Sequence, residues 1–263
     1  MVEEYQLIIK NDVWEIVPRP KDKSLISSKS IFKTKNSTNG SIKKYKSIFV
    51  PHRFSQKEGI YYEETFALVS RYTSIRTILS LKSNMKWNVH HMDVNTTFIN
   101  GLIEEYVYIK QPQVFETIDH ETYVCKLKKE LYGLNQAPRA WYGRINGFMM
   151  RLGFRKSKVD SNLFHKVEGD GLRIFILYVD DLLFIGEVSP INECKKKLAP
   201  EFEMKDLGMM EYFLGLEVWK YRGEIFLNQE KYAIEILKSN GMIYCKAMNT
   251  MMTTNLKLLN DDT

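Results

Sequence analysis

The stretch that most constrains this chain is Tyr178-Val179-Asp180-Asp181, set between Arg173-Ile-Phe-Ile-Leu177 and Leu182-Leu-Phe-Ile-Gly186. Each flanking run is short, apolar and rich in β-branched and aromatic residues, as a buried strand is. Two such strands this close in sequence fold back on each other, so the segment reads as a β-hairpin with two carboxylates at its tip. A turn that needed only polarity would usually take Asn-Gly or Asp-Gly. Adjacent carboxylates repel and raise each other's pKa unless a cation compensates them. On these residues alone two readings stand: a solvated turn, or a site for a divalent metal ion.

A third carboxylate bears on the choice. Trp87 to Val94 reads as a strand running into Asp93. By itself an Asp closing a strand is usually a cap or turn former. An antiparallel sheet covered on one face by helices, however, can bring Asp93 beside Asp180 and Asp181. Three carboxylates in one small space can hold two divalent ions about 3.5 to 4 Å apart, one activating an attacking hydroxyl and one steadying a leaving pyrophosphate. Magnesium suits hard oxygen ligands best, and no covalent nucleophile is needed.

The rest of the chain supplies such a sheet and its helices. Asn11 to Trp14 and Pro18 to Pro20 read as a turn and an extended segment. Leu25 to Lys35 and Ser41 to Val50 read as strands joined through Asn39-Gly40, a hairpin signal. From Lys21 to Lys57 the residues 21, 23, 29, 33, 35, 43, 44, 46, 53 and 57 are Lys or Arg against one acid, Asp22. That run is either a solvated sheet face or an electrostatic guide for phosphates. A helix capped by Thr73 or Ser74 carries Ile75, Ile78, Leu79 and Lys82 on one face, and residues 55–72 before it read as a loop. Tyr106 to Gln111 and Thr122 to Leu127 are further strands. The longest helical signal has Pro138 in its first turn, Gly153 at its end and a core stripe of Trp141, Tyr142, Ile145, Phe148, Met149 and Leu152. The polar turn ahead of it, Tyr132 to Arg139, lies outside that stripe and is open to a ligand. Ile191 to Ala199 and Gln229 to Ser239 read as helices, and Glu211 to Trp219 with Glu224 to Asn228 as a hairpin.

Composition narrows the class. With 44% hydrophobic and 27% charged residues over 263 positions the chain is globular, and a net charge of +6 is mildly suited to a polyanion. The three cysteines, Cys125, Cys194 and Cys245, form no Cys-x-x-Cys pair, which points to a reducing intracellular compartment, cytoplasm or nucleus, and to no structural zinc. His90 and His91 are neighbours on a strand, point to opposite faces, and are read as structural. No signal peptide is evident, and no apolar run approaches the roughly 18 residues of a membrane span.

Several stretches closely resemble the reverse transcriptase of copia-type LTR retrotransposons. They are Tyr61 to Ala67, Met92 to Gly101, Leu131 to Tyr142, Leu177 to Asp181, Phe202 to Gly208 and Tyr212 to Val218, in family order and spacing over roughly residues 11–260. The resemblance implies an α+β right-hand polymerase: an N-terminal segment and fingers at 1–86, with the basic hairpin at 24–50, a palm with an interleaved fingers segment at 87–222, and the start of the thumb at 223–263. It implies that Asp93, Asp180 and Asp181 bind two Mg2+ ions, with Mn2+ as a substitute and the Val94 backbone as a further ligand. Deoxynucleotides would be added to a primer on an RNA or DNA template. Phe98, five residues after Asp93, matches the aromatic ring that excludes a ribose 2′-hydroxyl. Gln136 matches the polar residue near the incoming sugar and triphosphate, Lys46 a nucleotide-binding lysine, and Leu214-Gly215 the turn that grips the primer.

The departures are local. Residues 45–53 usually read Tyr-Lys-Ala-Arg-Leu-Val-Ala-Lys-Gly in the family, so Ile48 stands where an Arg would meet the triphosphate and His52 where a Lys would stand. A hydrogen bond to a charged group contributes about 1.5 to 3 kcal/mol, so its loss would weaken nucleotide binding roughly 10- to 150-fold. Asn95 and Asn135 stand where Lys is common, Leu68 where Pro follows Phe-Ala, and Ala247 and Met251 where prolines occur. They read as drift in an element no longer selected for transposition, and the chain as a polymerase module or its remnant, without protease, integrase or ribonuclease H. The expected function is RNA-directed DNA polymerase. The alternative is a catalytically silent relic that still folds and binds nucleic acid through the basic hairpin; a palm-fold nucleotide cyclase would share paired acidic strand tips but not the Gln136-Ala137-Pro138 or Leu214-Gly215 turns.

Overall fold

A computed structural model describes residues 2–36, 42–59, 62, 68–85, 87–112, 115, 122–169, 171–221 and 224–248. Most of the 36–40 connection, most of the 61–67 motif, part of the 220–223 turn, and Met251 with the tail after 248 lie outside the described residues. The elements in order are α1 (Val2–Lys10), β1 (Trp14–Pro18), β2 (Ser28–Asn36), β3 (Ile42–Pro51), α2 (Tyr72–Met85), β4 (Asn88–Val94), β5 (Tyr108–Ile109), β6 (Tyr123–Leu127) and α3 (Ala137–Arg151). They continue as β7 (Arg155–Lys156), β8 (Leu163–Glu168), β9 (Gly171–Tyr178), β10 (Asp181–Gly186), α4 (Val188–Leu198), β11 (Met204–Met209), β12 (Tyr212–Phe213), β13 (Leu216–Tyr221), β14 (Glu224–Asn228) and α5 (Glu230–Ser239). The chain forms two compact units, Met1–Met210 and Glu211–Thr263.

The first unit is built on a six-stranded antiparallel sheet of order β11-β4-β10-β9-β8-β7. The apolar runs Ile174 to Leu177 and Leu182 to Ile185 are its two inner strands, buried on both faces, so their sequence carries no polar alternation. One face packs Met92 and Val94 of β4, Phe175 and Leu177 of β9, and Leu182 and Phe184 of β10 against Trp141, Ile145, Phe148 and Met149 of α3 and Ile191, Cys194 and Leu198 of α4. Burying one such side chain contributes about 1.5–3 kcal/mol, which is what holds the sheet to its helices.

A second core gathers Ile8, Trp14, Ile26, Phe49, Ile109, Leu127 and Leu134 around the three-stranded sheet β1-β6-β5. Phe98 packs against both cores. The basic segment forms the two-stranded ribbon β2-β3 in a register that sets Lys33 opposite Lys46 and Ile31 opposite Ile48.

Three local results differ from the sequence reading. The first ten residues hold a helix, α1, rather than a turn and extension only. A nine-residue helix is marginal by propensity; here Glu3 and Glu4 in its first turn and Lys10 in its last complement its dipole, and Ile8 docks it in the second core. α2 begins at Tyr72, before Thr73 and Ser74, because its start is satisfied from outside. Asp160 accepts the Ser70 hydroxyl at 2.7 Å and the Arg71 N–H at 2.9 Å. Burial alone would raise the Asp160 carboxyl, but bonds from Ser70, Ser74, Arg71 and Asn162 hold it below the ordinary range. The third is β11, whose sequence Met-Lys-Asp-Leu-Gly-Met lacks strand alternation. It pairs with β4 across an irregularity between Asp206 and Gly208, where Gly208 takes φ +78, a β-bulge.

In the second unit β12, β13 and β14 form an antiparallel sheet, and α5 follows Gln229. Among the described residues no helix is long and apolar enough to cross a membrane.

Candidate active site

The hairpin of β9 and β10 closes tightly: Tyr178 pairs with Asp181, leaving Val179 and Asp180 as the two turn residues. Val179 takes φ +57. A positive φ at the first position of a two-residue hairpin loop is the habit of a type II′ turn, where Gly is usual. For a β-branched residue it costs on the order of 1–3 kcal/mol. Three contacts hold it there. The Val179 N–H donates to the Leu68 carbonyl at 3.0 Å, the indole N–H of fully buried Trp141 donates to the Val179 carbonyl at 2.9 Å, and the Val179 side chain packs on the α3 core. The tip is a held conformation rather than a solvated loop.

The β10–β4 ladder then brings in the third carboxylate. Asp181 lies directly opposite Asp93, and the Val94 N–H donates to the Asp180 carbonyl at 2.9 Å. Burial pushes the Asp180 carboxyl up, and the negative charges of Asp181 and Asp93 push it further, while Lys46 on β3 pulls the other way. The carboxylates therefore feel one another. The donor set, three aspartates of hard oxygen, fits magnesium. Among the described residues, no three acidic, His or Cys side chains yet converge closely enough to enclose a metal ion.

The sequence reading treats His91 as structural, and the structure sets it against a carboxylate of the hairpin. It lies on the same face of β4 as Asp93, and its Nε2 is 2.5 Å from Asp181 Oδ1. His90, on the opposite face, meets the Lys195 ammonium at 3.1 Å, and that ammonium grips both oxygens of Asp206 at 2.9 and 2.8 Å. The signal for His91 was available in register: it is the diagonal neighbour of Asp181 across the ladder, within reach of a long side chain, but pairing has to be known to see it.

Tyr132 adjoins the carboxylates. Phe98 meets the Tyr132 ring edge-on at 4.7 Å. The Tyr132 hydroxyl is pushed up to about 12, chiefly by burial and further by Asp180 and Asp93, against a hydrogen bond with Thr97. Thr97 also donates to the Val94 carbonyl at 3.0 Å. Gln136 is 6% exposed, and neither its amide oxygen nor its nitrogen has a hydrogen-bond partner among the described residues. Leaving such a group unsatisfied costs about 1–3 kcal/mol.

The turn carrying Gln136 is clamped to the base of the basic hairpin. Gln56 donates to the Gly133 carbonyl and accepts from the Asn135 N–H, each at 2.9 Å, and Arg53 Nε donates to Asn135 Oδ1 at 2.6 Å. Gly133 takes φ +105, and a Cβ there would stand 2.7 Å from the Pro51 carbonyl oxygen; only glycine lets the two segments approach so closely.

A family model described as reverse transcriptase (RNA-dependent DNA polymerase) matches residues 11–254. The chain belongs to this family. It is 35% identical over 260 residues to the retrovirus-related Pol polyprotein from transposon RE1 of Arabidopsis thaliana, covering 98% of this chain and 18% of that protein. It is 37% identical over 262 residues to the retrovirus-related Pol polyprotein from transposon TNT 1-94 of Nicotiana tabacum, covering 98% and 20%. The chain thus spans about a fifth of the length of these relatives. A solved structure of telomerase from Candida albicans in complex with a fragment of telomeric RNA aligns over 91% of this chain and 54% of its own, with TM-score 0.42 and 10% identity.

In this reverse transcriptase chain, then, Asp93, Asp180 and Asp181 come together on neighbouring backbone positions, Phe98 packs on Tyr132, Gln136 is buried, and Lys46 is exposed on β3 within electrostatic reach of Asp180. Leu214 and Gly215 form the two-residue turn between β12 and β13, with φ +52 and +78. Positive φ at both central positions is the type I′ pattern, and it belongs to the second unit.

Proposed function

We propose that the chain is an RNA-directed DNA polymerase module that joins deoxynucleotides to a primer 3′-hydroxyl on an RNA or DNA template. The observation that carries the reading is the pairing of Asp181 with Asp93 beside a strained turn that presents Asp180, with the Asp180 carboxyl raised by burial and by both neighbours. Such a cluster is costly without a cation.

Asp93, Asp180 and Asp181 would hold two magnesium ions, or manganese in their place, with the Val94 carbonyl as an additional oxygen. When bound there, the ions supply charge neutralisation at the attacking and leaving oxygens. The chain's own residues do the rest. Lys46 offers a cation to the triphosphate. Phe98 presents a ring with neither room nor partner for a 2′-hydroxyl, which selects a deoxyribose. Gln136 would offer its amide to the sugar and phosphates, and Leu214-Gly215 would steady the primer end. Fingers at 1–86, palm at 87–222 and thumb from 223 remain our proposed division of these tasks.

The test is primer extension on oligo(dT)-primed poly(rA) by the purified chain beside Asp180→Ala. Incorporation by the parent and at least a hundredfold loss in the variant are expected, since the step depends on the carboxylate. Equal incorporation by both, or none from either at high nucleotide concentration, would overturn the polymerase reading in favour of a relic that folds without catalysis.

A further inference from the structure

We propose that His91 is a positioning residue for metal binding by Asp181, fixing one carboxylate oxygen so that the other is presented to a divalent cation. This rests on the polymerase reading above and adds a residue to it.

The register explains how the pair forms. With Asp181 opposite Asp93 and Leu183 opposite His91, His91 and Asp181 are diagonal neighbours on one face of the sheet. The imidazole is long enough to cover the diagonal, and its Nε2 reaches Asp181 Oδ1 at 2.5 Å. The ring is tightly enclosed, with 11% of its side chain exposed, while the Asp181 side chain keeps 27%. The donor is thus held by packing and the acceptor still faces solvent. Among the described residues no other side chain bonds the Asp181 carboxylate.

The consequence follows from the geometry of the three carboxylates. They occupy adjacent backbone positions without yet enclosing an ion, so a metal has to gather them and restrict their rotation. A carboxylate already oriented by a neighbour loses less freedom on binding. Partners that orient metal ligands in this way typically contribute 10- to 100-fold in metal affinity. His91 is placed to do so for Asp181. A histidine serving only as core filling would contribute packing and leave affinity for the ion unchanged.

Mn2+ titration of the full chain, followed by loss of the free-ion EPR signal, separates these roles without reliance on catalysis. Four proteins are compared: the parent, Asp181→Asn, His91→Leu and His91→Gln. Leu keeps the volume without a donor; Gln keeps an N–H near the position of Nε2. Expected are a dissociation constant raised roughly 10- to 100-fold in His91→Leu, recovery to within a few-fold of the parent in His91→Gln, and unchanged melting temperatures without metal. His91→Leu binding Mn2+ as tightly as the parent, while Asp181→Asn binds weakly, would overturn the role of His91 and leave the metal site standing. Asp181→Asn binding as tightly as the parent, or a parent that binds no Mn2+, would overturn both. Should His91→Leu fail to fold, proton NMR of the parent still decides: a downfield His91 Nε2–H resonance that vanishes in folded Asp181→Asn supports the pair, and its absence from the parent refutes it.

Discussion

Replacing Trp141 by Phe probes how the helical core holds the Val179-Asp180 turn in its strained shape. Trp141 is fully buried in α3. It meets Phe202 edge-on at 5.3 Å and donates its indole N–H to the Val179 carbonyl at 2.9 Å. Phenylalanine keeps a ring against Phe202 but has no donor. Because the bond is only partly buried, water can reach the abandoned carbonyl, and the loss is near the lower end of the range for an unmade hydrogen bond, about 1 kcal/mol. The smaller ring also removes the equivalent of about two buried methylene groups, worth about 1.5 kcal/mol. The sum, about 2.5 kcal/mol, should lower the melting temperature by roughly 5–10 °C in a domain of this size. Urea unfolding and a thermal scan measure it directly. Val179 should also relax towards a less strained φ, carrying Asp180 with it, so primer extension should fall more than the folded fraction does. A stability loss under about 0.5 kcal/mol, or extension that tracks stability alone, would refute the idea that Trp141 holds the turn.

Two further outcomes are expected. Glu130 is 1% exposed, with its Oε2 unpartnered among the described residues, and burial, helped by Glu105, pushes its carboxyl up to about 9. The folded chain therefore keeps a proton that the unfolded chain releases above its ordinary value of 4.5, so stability should fall as pH rises from about 4.5 to about 9 and level off beyond. Glu130→Gln should match the parent at pH 5 and exceed it at pH 8 in urea midpoint; parallel profiles would show that the buried acid is not the cause. Ile48→Arg sets a guanidinium two residues from Lys46 on the same face of β3 and should lower the apparent nucleotide KM in primer extension, with template affinity unchanged; a change in template affinity instead would mean that residue 48 faces the template.

The legible parts of the fold were those with one dominant local pattern. The α3 stripe, the β9 and β10 runs and the Asn-Gly-linked ribbon each obey a single periodicity or composition over enough residues to outweigh their neighbours. α1 and β11 were not legible. One is a short helix that exists because Ile8 finds the second core, and the other is a bulged edge strand that pairs with β4 despite its sequence. The start of α2 was misplaced for a similar reason: its N-terminal groups are satisfied by Asp160, far away in sequence.

For the site, the sequence alone determined which groups are on hand: paired aspartates at an apolar hairpin tip, a third at a strand end, an aromatic residue five positions on, and a basic ribbon. These follow from local composition, which the chain cannot hide. Only the tertiary structure decided which groups face one another. Register set Asp93 opposite Asp181 and brought His91 diagonally to the same carboxylate, the indole of Trp141 fixed the strained Val179, and Gln56 clamped the turn that leaves the Gln136 amide without a partner among the described residues. Pairing and packing join residues about 40 to 90 positions apart, and no local pattern encodes a contact at that separation.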